Sequence, residues 1–140
     1  FSAFGGKLAA SVIAIAQTKA GLTFGDAFVR GILCNFLVCI AVWMANAART
    51  VGGKIAAVFF PIMAFVVAGF EHSVANMYYL AAGLFTAGQT GAAAEGLTWG
   101  RALIGNLLPV TLGNLVGGGL LVGVSAWYLY LKKEINSVNS

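Results

Sequence analysis

Three long apolar runs, separated by short polar or glycine-rich stretches, set the outline of this chain. The first, residues 27–48, reads AFVRGILCNFLVCIAVWMANAA and carries a single charge. At about 1.5 Å per residue it is long enough to cross a hydrocarbon core about 30 Å thick. ARTVGGK follows, and its two glycines and two cations predict a turn at a membrane surface. The second run, residues 55–85, is interrupted by polar residues. TAGQTGAAAEGLTWGR, rich in small residues and carrying Glu95 and Arg101, forms the next loop. The third run, residues 102–131, ends in WYLYL followed by KKE. Trp127, Tyr128 and Tyr130 there fit an interfacial aromatic belt, and Lys132 and Lys133 a water-facing stop. Residues 1–26 are predicted to hold the end of a preceding helix and a loop, because the apolar run from Leu8 to Ala16 is too short to span alone. Residues 132–140 form a polar tail.

The second run contains Pro61, Gly69 and the polar group Glu71, His72, Ser73 and Asn76 near its middle. A straight lipid-facing helix does not tolerate that content: proline removes a backbone donor, and glycine permits dihedrals that end a helix. The pattern predicts two half-helices, Ile55 to Met63 and His72 to Phe85, joined by an extended AFVVAGFE. Unpaired backbone at membrane depth survives only where it is buried in protein or lines a wet cavity. The amino end of the second half-helix would offer free N–H groups and a partial positive charge to an anion. His72, the only histidine, falls on that end.

Composition supports a membrane protein and removes several function classes. Of 140 residues, 60% are hydrophobic and 9% charged, against about a quarter charged in soluble domains. The net charge of +4 comes from eight basic residues scattered between apolar runs, which make no stripe that could track nucleic-acid phosphates. Cys34 and Cys39 lie inside an apolar run and fit neither a metal pair nor a disulfide framework, so they read as small buried apolar residues. No metal and no cofactor are expected. One histidine and four acids do not compose a catalytic set, and GNLVGGG lacks the Lys-Ser/Thr of a phosphate loop. Gly113, Gly117 and the Gly119/Gly123 pair recur at four-residue spacing, which lets the last helix approach its neighbours closely. The chain opens on Phe1 with no signal-peptide pattern and reads as a fragment or processed product. Arg49, Lys54, Lys132 and Lys133 are assigned to one membrane face and Lys7, Lys19, Arg30 and Arg101 to the other, so the positive-inside rule gives no orientation.

PIMAFVVAGFEHSVANM, together with RGILCNFLVCIAVWMA before it and NLLPVTLGNLVGGGLLVG after it, resembles the formate/nitrite transporter family of pentameric anion channels. The resemblance covers about three-quarters of the chain. It implies an all-α membrane protein with an aquaporin-like inverted-repeat bundle, here the second three-helix repeat with its broken middle helix. It further implies a homopentamer in a cell membrane with cytoplasmic termini. The implied substrate is a small monovalent anion of a weak acid, formate first, with nitrite or hydrosulfide as alternatives.

Residue by residue, the family's central pore histidine falls on His72, its aromatic constriction on Phe65, its vestibule lysine on Lys19 and the amide of its last helix on Asn114. Gly69, Glu71, Ser73 and Asn76 support the break. Other roles are open to each. His72 could be a structural imidazole, although ionisable groups inside membrane spans are functional by default. Asn76 and Asn114 could glue helices together, Phe65 alone is core-like, and Lys19 alone is a solvated loop cation. Glu71 is expected to satisfy freed backbone or pair with a cation, because a carboxylate on an anion path would repel its cargo. Histidine changes charge nearest neutral pH, which makes His72 a candidate pH-sensitive switch and proton-coupling group. A neutral-solute pore of aquaporin type would show repeated Asn-Pro-Ala, which is missing from this sequence. A non-transporting scaffold would leave the central polar cluster unexplained.

Overall fold

The computed structural model describes residues 6–131, and every regular element within them is a helix. Lys132, Lys133 and the polar tail lie outside the described residues. The elements are α1 (Lys7–Ala20), α2 (Phe24–Ala47), α3 (Val51–Val67), α4 (Ser73–Thr90) and α5 (Arg101–Tyr130). Within α5 an α-type stretch, Leu108–Asn114, is flanked by wider π-type turns, Arg101–Leu107 and Leu115–Val124. The helices α2 and α5 are long and apolar enough to cross a membrane; α3 is equally apolar but shorter.

Local chemistry sets the boundaries. The Thr23 hydroxyl accepts the Asp26 N–H at 3.1 Å and the Thr50 hydroxyl accepts the Gly53 N–H at 3.0 Å, so each caps a helix start. Thr50 thereby shortens the predicted ARTVGGK turn to residues 48–50, and Gly52 and Gly53 belong to the first turn of α3. At its far end α4 runs past Phe85 to Thr90, where Gly91 with φ 65° closes it.

The prediction that α3 stops at Met63 is corrected: the helix runs through Pro61 to Val67. Proline removes one donor, which would have bonded to the Ala57 carbonyl, but a helix carries that loss where its neighbours tolerate it. The helix ends at Val67, six residues after Pro61 and two before Gly69.

The interior is built from small and polar side chains. Asn76, Asn106 and Thr86 are among the largest fully buried side chains, while Phe59, Phe60, Val67, Tyr78 and Leu115 lie on the outside. This reverses the usual arrangement of a water-soluble fold and matches one whose solvent is hydrocarbon. Two close crossings hold the helices. Antiparallel to α1, α4 sets Gly83 directly against Ala16, and a small core of Ala16, Ala20, Leu80, Leu97 and Ala102 lies beside it. Running in the same direction as α2, α5 sets Gly113 on Gly31 and Gly117 on the Ile32 backbone. Gly118 meets Asn35 and Cys39, and Trp43 meets Tyr130 edge-on at 5.8 Å. The close-packing stripe is therefore Gly113, Gly117 and Gly118. A methyl on Gly119 would meet open space and one on Gly123 only its own helix, so the predicted Gly119/Gly123 pair takes no part.

Lys7 and Lys19 stand at opposite ends of α1, about 18 Å apart by helical rise. They cannot share a membrane face, and the even division of cations made from the sequence is corrected accordingly.

Candidate functional site

Five residues, Ala68 to His72, separate α3 from α4, and their backbone groups are largely accounted for. Gly69 adopts φ 67°, the left-handed region that glycine enters without steric cost. Its N–H donates to the Val66 carbonyl at 3.1 Å and the Phe70 N–H to the Phe65 carbonyl at 3.0 Å. That pair of bonds is the glycine-terminated Schellman turn, so Gly69, not Pro61, stops α3. The Glu71 N–H crosses to the Arg30 carbonyl at 3.3 Å, and the Arg30 guanidinium returns a bond to the Gly69 carbonyl at 3.3 Å. The predicted extended stretch of eight residues is thus a compact turn pinned to α2.

The start of α4 is capped from two directions. Asn114 accepts the Ser73 N–H and the Ser73 hydroxyl on Oδ1, both at 3.0 Å. Its Nδ2 donates to the Gly31 carbonyl at 2.9 Å and the Glu71 carbonyl at 3.0 Å. His72 is the N-cap residue, with Nδ1 accepting the Ala75 N–H at 3.4 Å. That bond puts a lone pair on Nδ1 and leaves the proton of the neutral ring on Nε2. The amides of His72 and Val74 find no protein acceptor among the described residues.

Beside this cap lies a cleft of about 470 Å³ lined by His72, Phe65, Lys19, Glu71, Asn76, Tyr79 and neighbouring residues. The Phe65 ring stacks toward His72 with centroids 6.2 Å apart and planes inclined by 28°. Deeper in, Lys19 Nζ pairs with Glu71 Oε1 at 2.9 Å. Asn76 Nδ2 donates to Glu71 Oε2 and, at 2.8 Å, to Asn106 Oδ1. Asn106 Nδ2 in turn reaches the Lys19 carbonyl at 2.9 Å. The carboxylate is 4% exposed, and burial of a charge at that level requires this kind of pairing. A larger hollow of about 650 Å³ runs along α3 but is walled by aliphatic and aromatic side chains with only Lys54 charged, so it offers little chemistry.

The structure brings His72, Phe65 and Lys19 together around one cleft with Glu71, Gly69 and Asn76, and Ser73 stands at the adjoining helix start. Asn114 is different: all four of its bonds go to protein groups, none to His72, and it does not border the cleft. It clamps the break. Lys19, expected in a loop, occupies the last turn of α1 and is already paired. Glu71 pairs with a cation, as its burial demanded.

Sequence reasoning passed over Asn106, Arg30 and Tyr79. Asn106 stands eight residues before Asn114 in an otherwise apolar run, about two helical turns away on the same side, and that spacing was its available signal. Arg30 reads from the sequence as a surface cation. Tyr79 carried no signal, because a tyrosine in an apolar helix has many uses.

The chain is similar to known proteins in sequence and in fold. Residues 1–128 match the family model described as formate/nitrite transporter. A probable formate transporter of Methanothermobacter thermautotrophicus is 47% identical over 124 residues, covering 89% of this chain and 42% of that protein. The formate channel FocA of Escherichia coli (strain K12) is 39% identical over 142 residues, covering 92% of this chain and 49% of that one. A solved structure described as a pentameric formate channel with formate bound superposes with a TM-score of 0.82 at 39% identity, over 94% of this chain and 56% of its own. The chain spans about half the length of the curated relatives it matches.

Proposed function

The chain belongs to the formate/nitrite transporter family, whose members are integral membrane channels and transporters rather than enzymes, and from that premise we propose that it supplies one half of a formate-conducting pore. In this proposal the five helices are the second inverted repeat and the end of the helix before it. The other repeat completes the constriction, and five copies assemble, as in the relative described as pentameric. Nitrite and hydrosulfide, likewise small monovalent anions of weak acids, are alternative cargoes.

The observation that carries the proposal is the His72-capped start of α4 opening on a cleft that also holds Lys19 and Phe65. A small anion entering a low-dielectric bore faces an idealised desolvation penalty of tens of kcal/mol. Three groups would offset it. The Lys19–Glu71 pair is neutral as a whole and lines the cleft, so Lys19 acts as a local donor and not as a free charge at a mouth. The unpaired amides of His72 and Val74 add the positive end of the α4 dipole. The Nε2–H of His72 donates to the anion beyond the Phe65 ring.

Proton coupling follows from the same ring. A second proton must occupy Nδ1, which gives up the bond from the Ala75 N–H. Charging His72 thus strengthens its hold on an anion while loosening the cap of α4, and loss of that proton reverses both. The His72→Asn variant tests this, because asparagine is itself a good N-cap and keeps the helix start intact. Formate flux into liposomes carrying full-length protein should vary with external pH through this exchange. In the variant that variation should flatten. An unchanged pH profile would remove the histidine from the coupling.

A further inference from the structure

Tyr79 lies on the cleft wall, two turns into α4 on the side shared by His72, Ala75 and Asn76. Lys19 Nζ stands 5.6 Å from its ring centroid and 2.9 Å from Glu71 Oε1. We infer that Tyr79 is a positioning residue for Lys19, the ring and the Glu71 carboxylate holding the ammonium from two sides at the place where the cleft takes its anion. The two partners act differently. A carboxylate cancels the charge it pairs with, whereas an aromatic face attracts a cation through its quadrupole and leaves the net charge in place. A second carboxylate at this position would close the site to anions; a ring does not. Lysine's four-carbon stem is flexible, so without the ring the Glu71 carboxylate alone fixes the ammonium. Tyr79 is 40% exposed and lines the cleft.

The inference rests on the cleft being the anion path, and its test separates the two ideas. Half-saturation and maximal rate of formate flux are measured in liposomes for full-length protein carrying Tyr79→Phe or Tyr79→Leu. Phenylalanine keeps the aromatic face; leucine keeps only apolar bulk. The leucine variant should raise the half-saturating concentration about fivefold, within the range a cation–π contact supplies, with the maximal rate little changed. The phenylalanine variant should stay within about twofold of the parent. Equal impairment of both variants would assign the effect to the hydroxyl and overturn the inference, as would a leucine variant that behaves like the parent. Independently of transport, the Lys19 ε-methylene protons in ¹³C-labelled protein should shift upfield under the ring in the parent and in Tyr79→Phe, and lose that shift in Tyr79→Leu. Absence of the shift in the parent overturns the positioning directly. If the parent carries no anion while the shift behaves as described, the transport proposal fails and the contact stands.

Discussion

Gly117→Val is expected to leave little correctly folded protein in the membrane, because its side chain would have to occupy the backbone of α2. A β-carbon at position 117 runs into the Ile32 carbonyl oxygen, with the carbonyl carbon at 2.9 Å and Cα at 3.1 Å. Backbone cannot swing aside as a flexible side chain can, so α5 must lift from α2. Lifting it strains the bonds that Asn114 makes to Gly31, Glu71 and Ser73, and that Asn35 makes to the Asn114 carbonyl at 2.8 Å. Overpacking alone costs about 1–3 kcal/mol, and each buried polar group left unpaired adds about as much again, so a loss above ~3 kcal/mol follows. Gly119→Ala two residues away meets nothing within 4 Å and should be close to neutral. Yield of folded protein from detergent and its unfolding midpoint distinguish the two. Equal tolerance at both positions would show that α2 and α5 are not in backbone contact.

Glu71→Ala should be the most damaging change within the cleft. It strands the Lys19 ammonium, whose side chain is 17% exposed, and removes the acceptor used by Asn76 and Asn106. Breaking a buried pair by deleting one partner costs on the order of 3–5 kcal/mol; the partial exposure of Lys19 places this case toward the lower end. Formate flux should fall with it. Lys19→Met removes the other partner, and the double variant should cost less than the two single costs added together by more than about 1 kcal/mol. Strict additivity in detergent unfolding would mean that the two groups do not act as a pair.

Much of this was legible in the sequence, and the exceptions have physical causes. Long apolar runs announce their helices because hydrocarbon admits little else. A lone histidine beside glycine, glutamate and asparagine in such a run announces a special site for the same reason. The end of α3 was misplaced because Pro61 and Gly69 both qualify as helix breakers. The Schellman turn that favours Gly69 depends on carbonyls in three dimensions. An amide in an apolar helix suits either a solute or a helix contact, so the sequence leaves Asn114 open between the two roles. Its four side-chain bonds, to Gly31 of α2, Glu71 of the break and Ser73 of α4, exist only in the folded chain. Tyr79 and Arg30 act through neighbours 60 and 39 positions away, at Lys19 and Gly69, and no local pattern encodes such pairings.

The account depends on water and anions passing the gap between α3 and α4, and Ala75, on the cleft side of the first turn of α4, is the place to ask. Full-length protein carrying Ala75→Cys is treated with a charged thiol-reactive methanethiosulfonate and formate flux is then measured, with identically treated parent protein correcting for Cys34 and Cys39. The account predicts that labelling blocks flux in the variant and that formate present during labelling slows the reaction. Complete labelling at position 75 with undiminished flux would contradict it.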